Sequence, residues 1–278
     1  MDNASAYGAE DCRFESCRGR NSFLQKMPTY QFEAARGPVI IGSLPLKLVF
    51  QWAVSMPGVG VVIAFIIGYT IHTSLMYDYE WVCRKVYLPS VSRLLNLPLE
   101  RIAWNILSLS SVPLQLFVVM RQYILTFSTS PKQQYLRIVL VISSVFQSLF
   151  LTLLATVGER ESGAFHVAFF SGFSVATITN YTVFTILMKC NVVEAPEHGR
   201  RRIFILLALM LVLPIIFVAF ILHNVFCIPG TYEAFAIFEY LTIILIYSFH
   251  LSNFYLFSDP SQKILVCHRN GKLAPVRI

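Results

Sequence analysis

The sequence predicts an all-α fold, a polytopic six-helix transmembrane bundle with both termini cytosolic. Three observations lead there. Mean hydropathy is +0.62 with only 13% charged residues in 278, which is too apolar for an ordinary soluble domain. Six apolar runs fall near residues 49–72, 102–124, 136–157, 165–188, 203–222 and 233–256. Each is close to the roughly 20 residues that cross a hydrocarbon core of about 30 Å. Lys and Arg, finally, are distributed unevenly between the two sides these runs define.

In chain order, residues 1–47 are polar, mixed in charge and without sustained periodicity, and are expected to form a disordered cytosolic tail. The sequence opens with no charged n-region, apolar h-region and small-residue cleavage site, so the first span is expected to act as the signal anchor. Residues 48–257 hold the six-helix domain, and 258–278 form a cytosolic C-terminal tail. The stretch 39–50 is apolar apart from Lys47, which fits an interfacial lead-in or part of a longer tilted first helix. The runs must be helical because backbone groups in lipid have to be satisfied within the segment. Pro57, Pro113 and Pro214 lie inside three of them and predict kinks. The longest outer loop, 73–101, carries Y-D-Y-E-W-V-C and then Y-L-P-S-V-S, with Ser92 placed to cap a short helix leading toward Asn96.

With the N-terminus inside, seventeen of the 22 Lys and Arg residues lie on the cytosolic side, and Arg84, Lys85, Arg93, Arg101 and Arg160 lie opposite. This asymmetry orients the bundle. The same assignment leaves Cys83 and Cys227 as the two cysteines in outer loops, while Cys12, Cys17, Cys190 and Cys267 fall inside. An oxidising lumen favours a Cys83–Cys227 bridge; the alternative is two free loop thiols. Asn3 and Asn180 carry glycosylation sequons, the first cytosolic and the second within a span.

The net charge of +7 comes from short basic clusters without interleaved aromatics, which points to a membrane surface and not to nucleic acid. The run Arg200 to Arg202 fits either anionic headgroup binding or a positive-inside anchor. There is no G-x-G-x-x-G, Walker loop or G-x-S-x-G elbow, and no cofactor is expected.

Glu239 lies inside the sixth run, where a carboxylate costs roughly 2.5 to 3.5 kcal/mol on insertion scales and marks a functional site by default. His166, His223 and Glu239 fall at one membrane level on the outer side, as does His72. Such a group suits general acid/base work, for example activating a lipid hydroxyl or a water; the alternative is interfacial histidines bonded to backbone and a paired structural carboxyl. His250 is about 16 Å farther along the same helix face. A metal site on His166, His223 and Glu239 lacks any H-x-x-x-H or C-x-x-C support, so no metal is expected.

Tyr87-Leu88-Pro89-Ser90-Val91-Ser92, preceded by Cys83, resembles the C-x-x-x-x-Y-L-P-S-V-S signature in the first luminal loop of the post-GPI attachment to proteins factor 2 family. The later segment is similar to it in order and spacing at His223-Asn224, Cys227, Gly230, Tyr232, Phe235-Ala236, Glu239-Tyr240 and Phe249-His250. Weaker similarity at Arg101, Trp104, Pro113 and around His166 extends the likeness over about residues 47–265, within the broader Frag/DRAM/Sfk group of six-helix membrane proteins. The chain departs from the pattern in a Cys83–Tyr87 spacing one residue short, in Val167 where Glu follows the His, and in Ser110 and Leu114 where His and Arg flank the proline.

The resemblance implies a multi-pass Golgi or endoplasmic reticulum membrane protein required for fatty-acid remodelling of GPI anchors, at the reacylation of lyso-GPI. It would act as an acyltransferase or as the partner of a membrane acyltransferase, on GPI lipid or GPI-anchored proteins with an acyl-donor lipid. His166, His223 and Glu239 are then the catalytic candidates, and Asn224, Tyr232 and Tyr240 the substrate-binding ones. The rival is a DRAM- or Sfk-like regulator or scaffold without activity. A channel would need a polar path, of which Glu239 and His250 on the sixth helix are the only sign.

Overall fold

A computed structural model describes residues 39–77, 83, 86–259, 263–269 and 272–277. The tail up to residue 38, with Cys12, Cys17 and Asn3, lies outside the described residues, as does most of the Y-D-Y-E-W-V segment before Cys83.

Among the described residues six helices are long and apolar enough to cross a membrane: α1 (Leu46–Thr70), α4 (Pro98–Leu125), α5 (Pro131–Thr156), α6 (Gly163–Asn191), α7 (Pro196–Asn224) and α8 (Thr231–Ser252). Two short helices, α2 (Thr73–Tyr77) and α3 (Val91–Leu94), sit in the loop between α1 and α4. Helices α4, α5 and α7 each begin with Pro, whose missing N–H is one that a helix start leaves unpaired anyway. The long helices run through Pro57, Pro113 and Pro214 without interruption. The last one stops at Ser252 and tightens into a 3₁₀ turn at Phe254–Phe257, so the span expected to reach residue 256 is four residues shorter.

Many large apolar side chains of the bundle face outward, beside a buried apolar core that includes Phe50, Phe184, Leu209 and Phe249. Val62, Val175, Phe204, Leu211 and Leu251 are all more than half exposed, whereas the buried row of α4 reads Glu100, Ser108, Ser111, Val118, Gln122 and that of α5 reads Arg137, Leu140, Ser143, Ser144, Ser148, Ala155. In lipid the apolar face gains nothing by turning inward, so small and hydrogen-bonding residues hold the helices together. Asn180 on α6 shows how: its Nδ2 donates to Ser144 Oγ at 2.6 Å and to the Leu140 carbonyl at 3.2 Å on α5. Gly172 brings α6 so close to α5 that a Cβ there would stand 2.6 Å from the Phe150 ring.

Residues 39–45, expected to belong to a disordered tail, to an interfacial lead-in or to a longer helix, instead form a strand, β1 (Val39–Pro45). It pairs antiparallel with β2 (Lys263–Arg269), which pairs with β3 (Lys272–Arg277). Pro45 precedes α1 with extended backbone, and the β-branched Val39, Ile40 and Ile41 favour a pleated chain. The segments flanking the bundle thus close on each other, and Ile264 of β2 packs into the core with Leu46, Phe50 and Phe257.

At that same end Arg202 is fully buried. It pairs with Glu194 and donates to Asn253 Oδ1 at 3.2 Å, while Tyr255 donates to the other Glu194 oxygen. Burial, then this bond, push the Tyr255 phenol up. Of the three consecutive arginines, Arg200 and Arg201 are exposed. Arg202 is therefore neither a headgroup ligand nor a surface anchor; it locks α7 to the start of the C-terminal segment.

Candidate functional site

The opposite end of the bundle is organised by the Y-L-P-S-V-S loop. Ser90 caps α3 by accepting the Arg93 N–H at 3.3 Å, two residues before the cap expected at Ser92. The difference follows from the neighbours of α3, because its first amides are satisfied by α8. Glu239 accepts the Val91 N–H at 2.6 Å and the Ser92 N–H at 3.1 Å, a carboxylate at a helix N-terminus. Tyr232 donates to Ser90 Oγ at 2.9 Å, Tyr240 donates to the Pro89 carbonyl at 2.5 Å, and the Tyr87 N–H bonds Glu233 at 3.1 Å. Positions 232, 233, 239 and 240 lie close to two helical turns apart, so one side of α8 holds five residues of the loop, Tyr87 and Pro89 to Ser92.

A disulfide joins Cys83 to Cys227, with Cα atoms 5.0 Å apart. Just before α8, Gly230 takes φ +81°, a left-handed backbone that glycine adopts without a Cβ clash. The Pro-Gly turn thereby delivers Tyr232 to the loop.

Below the loop are two cavities. The upper one, of about 310 Å³, is lined by His166, His223, Asn224, Tyr232, Glu239 and Glu159, among others. The lower one, of about 230 Å³, runs down the bundle axis between α1, α4, α5, α6 and α8 to Tyr181 and His250. Both are bordered by Ser92, His166, Phe170 and Glu239, which mark where they meet.

His166, His223, Glu239, Asn224 and Tyr232 are thus gathered round one space. His166 Nδ1 contacts the Val157 carbonyl at 3.2 Å. A carbonyl only accepts, so Nδ1 is the donor in this contact. His223 meets the Tyr232 ring edge-on at 5.0 Å. Asn224 turns its amide back to the Phe220 carbonyl. Tyr240 borders neither cavity; its hydroxyl is spent on Pro89 and its ring lies 5.8 Å from Phe65.

His72 is not part of this group. It follows α1 and its Nδ1 binds both oxygens of the fully buried Glu100, at 2.8 and 3.0 Å. Sequence reading missed Glu100, although its place in the first turn of α4, next to the end of an apolar run, was the available signal. It also missed the polar row along the lower cavity: Gln115, Gln122, Gln147, Ser148, Asn180 and Tyr181 stand there beside Glu239 and His250. The polar lining is therefore not confined to the last helix. Tyr181 OH and His250 Nε2 are paired at 3.1 Å.

A model of the Frag1/DRAM/Sfk1/Cwh43P N-terminal domain family matches residues 45–259. The chain belongs to this family. The matched segment of this Frag1-family chain begins at Pro45, one residue before α1, and ends just past the 3₁₀ turn, so it takes in all six spans, the clamped loop and both cavities. No solved structure matches the chain.

Proposed function

We propose that this Frag1-family membrane protein serves the fatty-acid remodelling of GPI anchors, at the reacylation of lyso-GPI in the Golgi or endoplasmic reticulum membrane. The observation that carries the reading is the convergence of its two signature segments. They are about 140 residues apart in the chain and meet as one clamp over a cavity, through Glu239 to Val91 and Ser92, Tyr232 to Ser90, and Cys83 to Cys227. The disulfide favours the luminal side for this end, which is the side where GPI lipids reside.

In this reading the site handles an acyl ester and an alcohol. His166 Nε2 takes the proton of the lyso-lipid hydroxyl as its oxygen bonds to the donor's acyl carbon. The donor's C–O ester bond breaks, and the imidazolium returns the proton to the departing oxygen. Glu239 positions the roof loop, and His223, Asn224 and Tyr232 border the space above.

Both oxygens of Glu239 are already held by loop amides, which favours, as the second reading, a lipid-binding partner of a membrane acyltransferase. Acyl transfer from a labelled phospholipid to lyso-GPI by the purified protein separates the two. Turnover that is lost in His166→Ala supports the enzyme. A folded protein without turnover, which still restores remodelling in cells lacking it, assigns the partner role.

A further inference from the structure

Thr242 has a buried hydroxyl with no hydrogen-bond partner, and it stands on the wall of the lower cavity. It is 4% exposed. Elsewhere in the bundle buried hydroxyls fold back on the preceding turn: Ser144 donates to the Leu140 carbonyl, Ser174 to Phe170, Thr126 to Gln122 and Thr185 to Tyr181. That back-bond was open to Thr242 as well. Ser108 and Thr177 also keep unpartnered hydroxyls, but neither lines the cavity. An unpaired hydroxyl away from water is costly, and Thr242 is one helical turn below Glu239, just under the junction of the two cavities.

The space beneath Thr242 is a sleeve lined by Val54, Val61, Leu151, Phe173, Ile243 and Ile246, with the polar row described above beside them. Its floor is closed by Tyr181 and His250, already bonded to each other. From Glu239 to His250 the sleeve is about 16 Å long. Water suits a small space with several polar partners, and on this wall Ser148 and Asn180 already donate to Gln115 and Ser144.

We infer that the lower cavity is a binding site for a single fatty-acyl chain, whose carbonyl oxygen accepts a hydrogen bond from Thr242 Oγ1 and whose methylenes fill the sleeve down to the Tyr181–His250 pair. The inference deepens the proposed function without needing its chemistry, since it would place the acyl carbonyl next to His166 and Glu239 at the junction. The chain enters as a free fatty acid or as the tail of a phospholipid ester; both present the same carbonyl and hydrocarbon.

The test uses the full chain in lipid nanodiscs with two photo-crosslinking probes, a diazirine fatty acid and a phospholipid carrying the same diazirine chain, and maps adducts by mass spectrometry. Expected are adducts on sleeve residues such as Leu151, Phe173 and Ile246 that unlabelled chain competes away, with the productive probe naming the source. Thr242→Val, nearly the same shape without the hydroxyl, should weaken binding about three- to tenfold, while Thr242→Ser restores it. Adducts confined to outward residues such as Val175 and Ile244 would overturn the inference, as would hydroxyl-radical labelling of the sleeve, which would show it filled with water. Sleeve adducts in a protein that performs no acyl transfer uphold the site and remove only the catalytic reading. Acyl transfer without sleeve adducts does the reverse.

Discussion

The carboxylate of Glu239 and the backbone amide of Val91 are 2.6 Å apart, although 148 positions separate them in the chain. Of all the contacts between the Y-L-P-S-V-S loop and α8, this one explains how a carboxyl is accommodated at that depth. The helix start of α3 brings two amides to it, and no side-chain cation is needed.

Glu239→Gln should loosen that clamp. The amide side chain turns a donor toward one of two backbone donors, so one bond is lost and one N–H is left facing an N–H. The expected cost is about 1 to 3 kcal/mol. Hydrogen exchange at Val91 and Ser92 checks it: both amides should exchange faster in the variant, while those of α5 and α6 keep their protection.

Tyr232→Phe and Tyr240→Phe each remove one bond to the loop, expected to cost about 0.5 to 1.5 kcal/mol. Both bonds hold neighbouring residues of one short segment, so the two losses should not add. A double-mutant cycle by thermal denaturation in detergent should show coupling between them.

Arg202→Ala should be among the most damaging single changes at the other end, by about 3 to 5 kcal/mol, because it leaves the mostly covered Glu194 carboxylate without its cation, with Tyr255 as its remaining donor. Arg201→Ala, on an exposed side chain, should fall within about 0.5 kcal/mol of wild type. Comparing the abundance and melting temperature of the two proteins checks the contrast. Equal effects would mean that the cluster works as surface charge.

Arg101 holds the Glu161 carboxyl below the usual carboxylate range, chiefly through their hydrogen bond. A depressed carboxylate contributes stability above its unfolded pKa and loses it as the pH falls through the folded value. Glu161 is about half exposed, so solvent keeps the contribution small. The stability difference between wild type and Glu161→Gln should be small at neutral pH and close on acidification below the carboxylate range.

The six spans were legible because length and hydropathy are set by the bilayer, whatever the neighbours. The interior position of Glu239 was legible for the same reason. Its partner was not: amides at 91 and 92 are donors in any sequence, and only the fold decides that they are the first of a helix aimed at α8. The row Ser108, Ser111, Gln115, Gln122 could have been read, since its spacing of three, four and seven keeps one helix face, but its residues are too mild to stand out against an apolar background. Strand β1 was hidden because Val39 to Pro45 is as apolar as a helix lead-in, and its partner lies more than 200 residues on.

The proposed function rests on the clamp between Glu239 and the Y-L-P-S-V-S loop building the site for GPI lipid remodelling. The most direct measurement is the GPI lipid composition of cells lacking this protein, re-supplied with wild type or Glu239→Gln at matched abundance. The account predicts that wild type restores the remodelled saturated chain and that Glu239→Gln leaves lyso or unremodelled GPI. Full restoration by Glu239→Gln would contradict it.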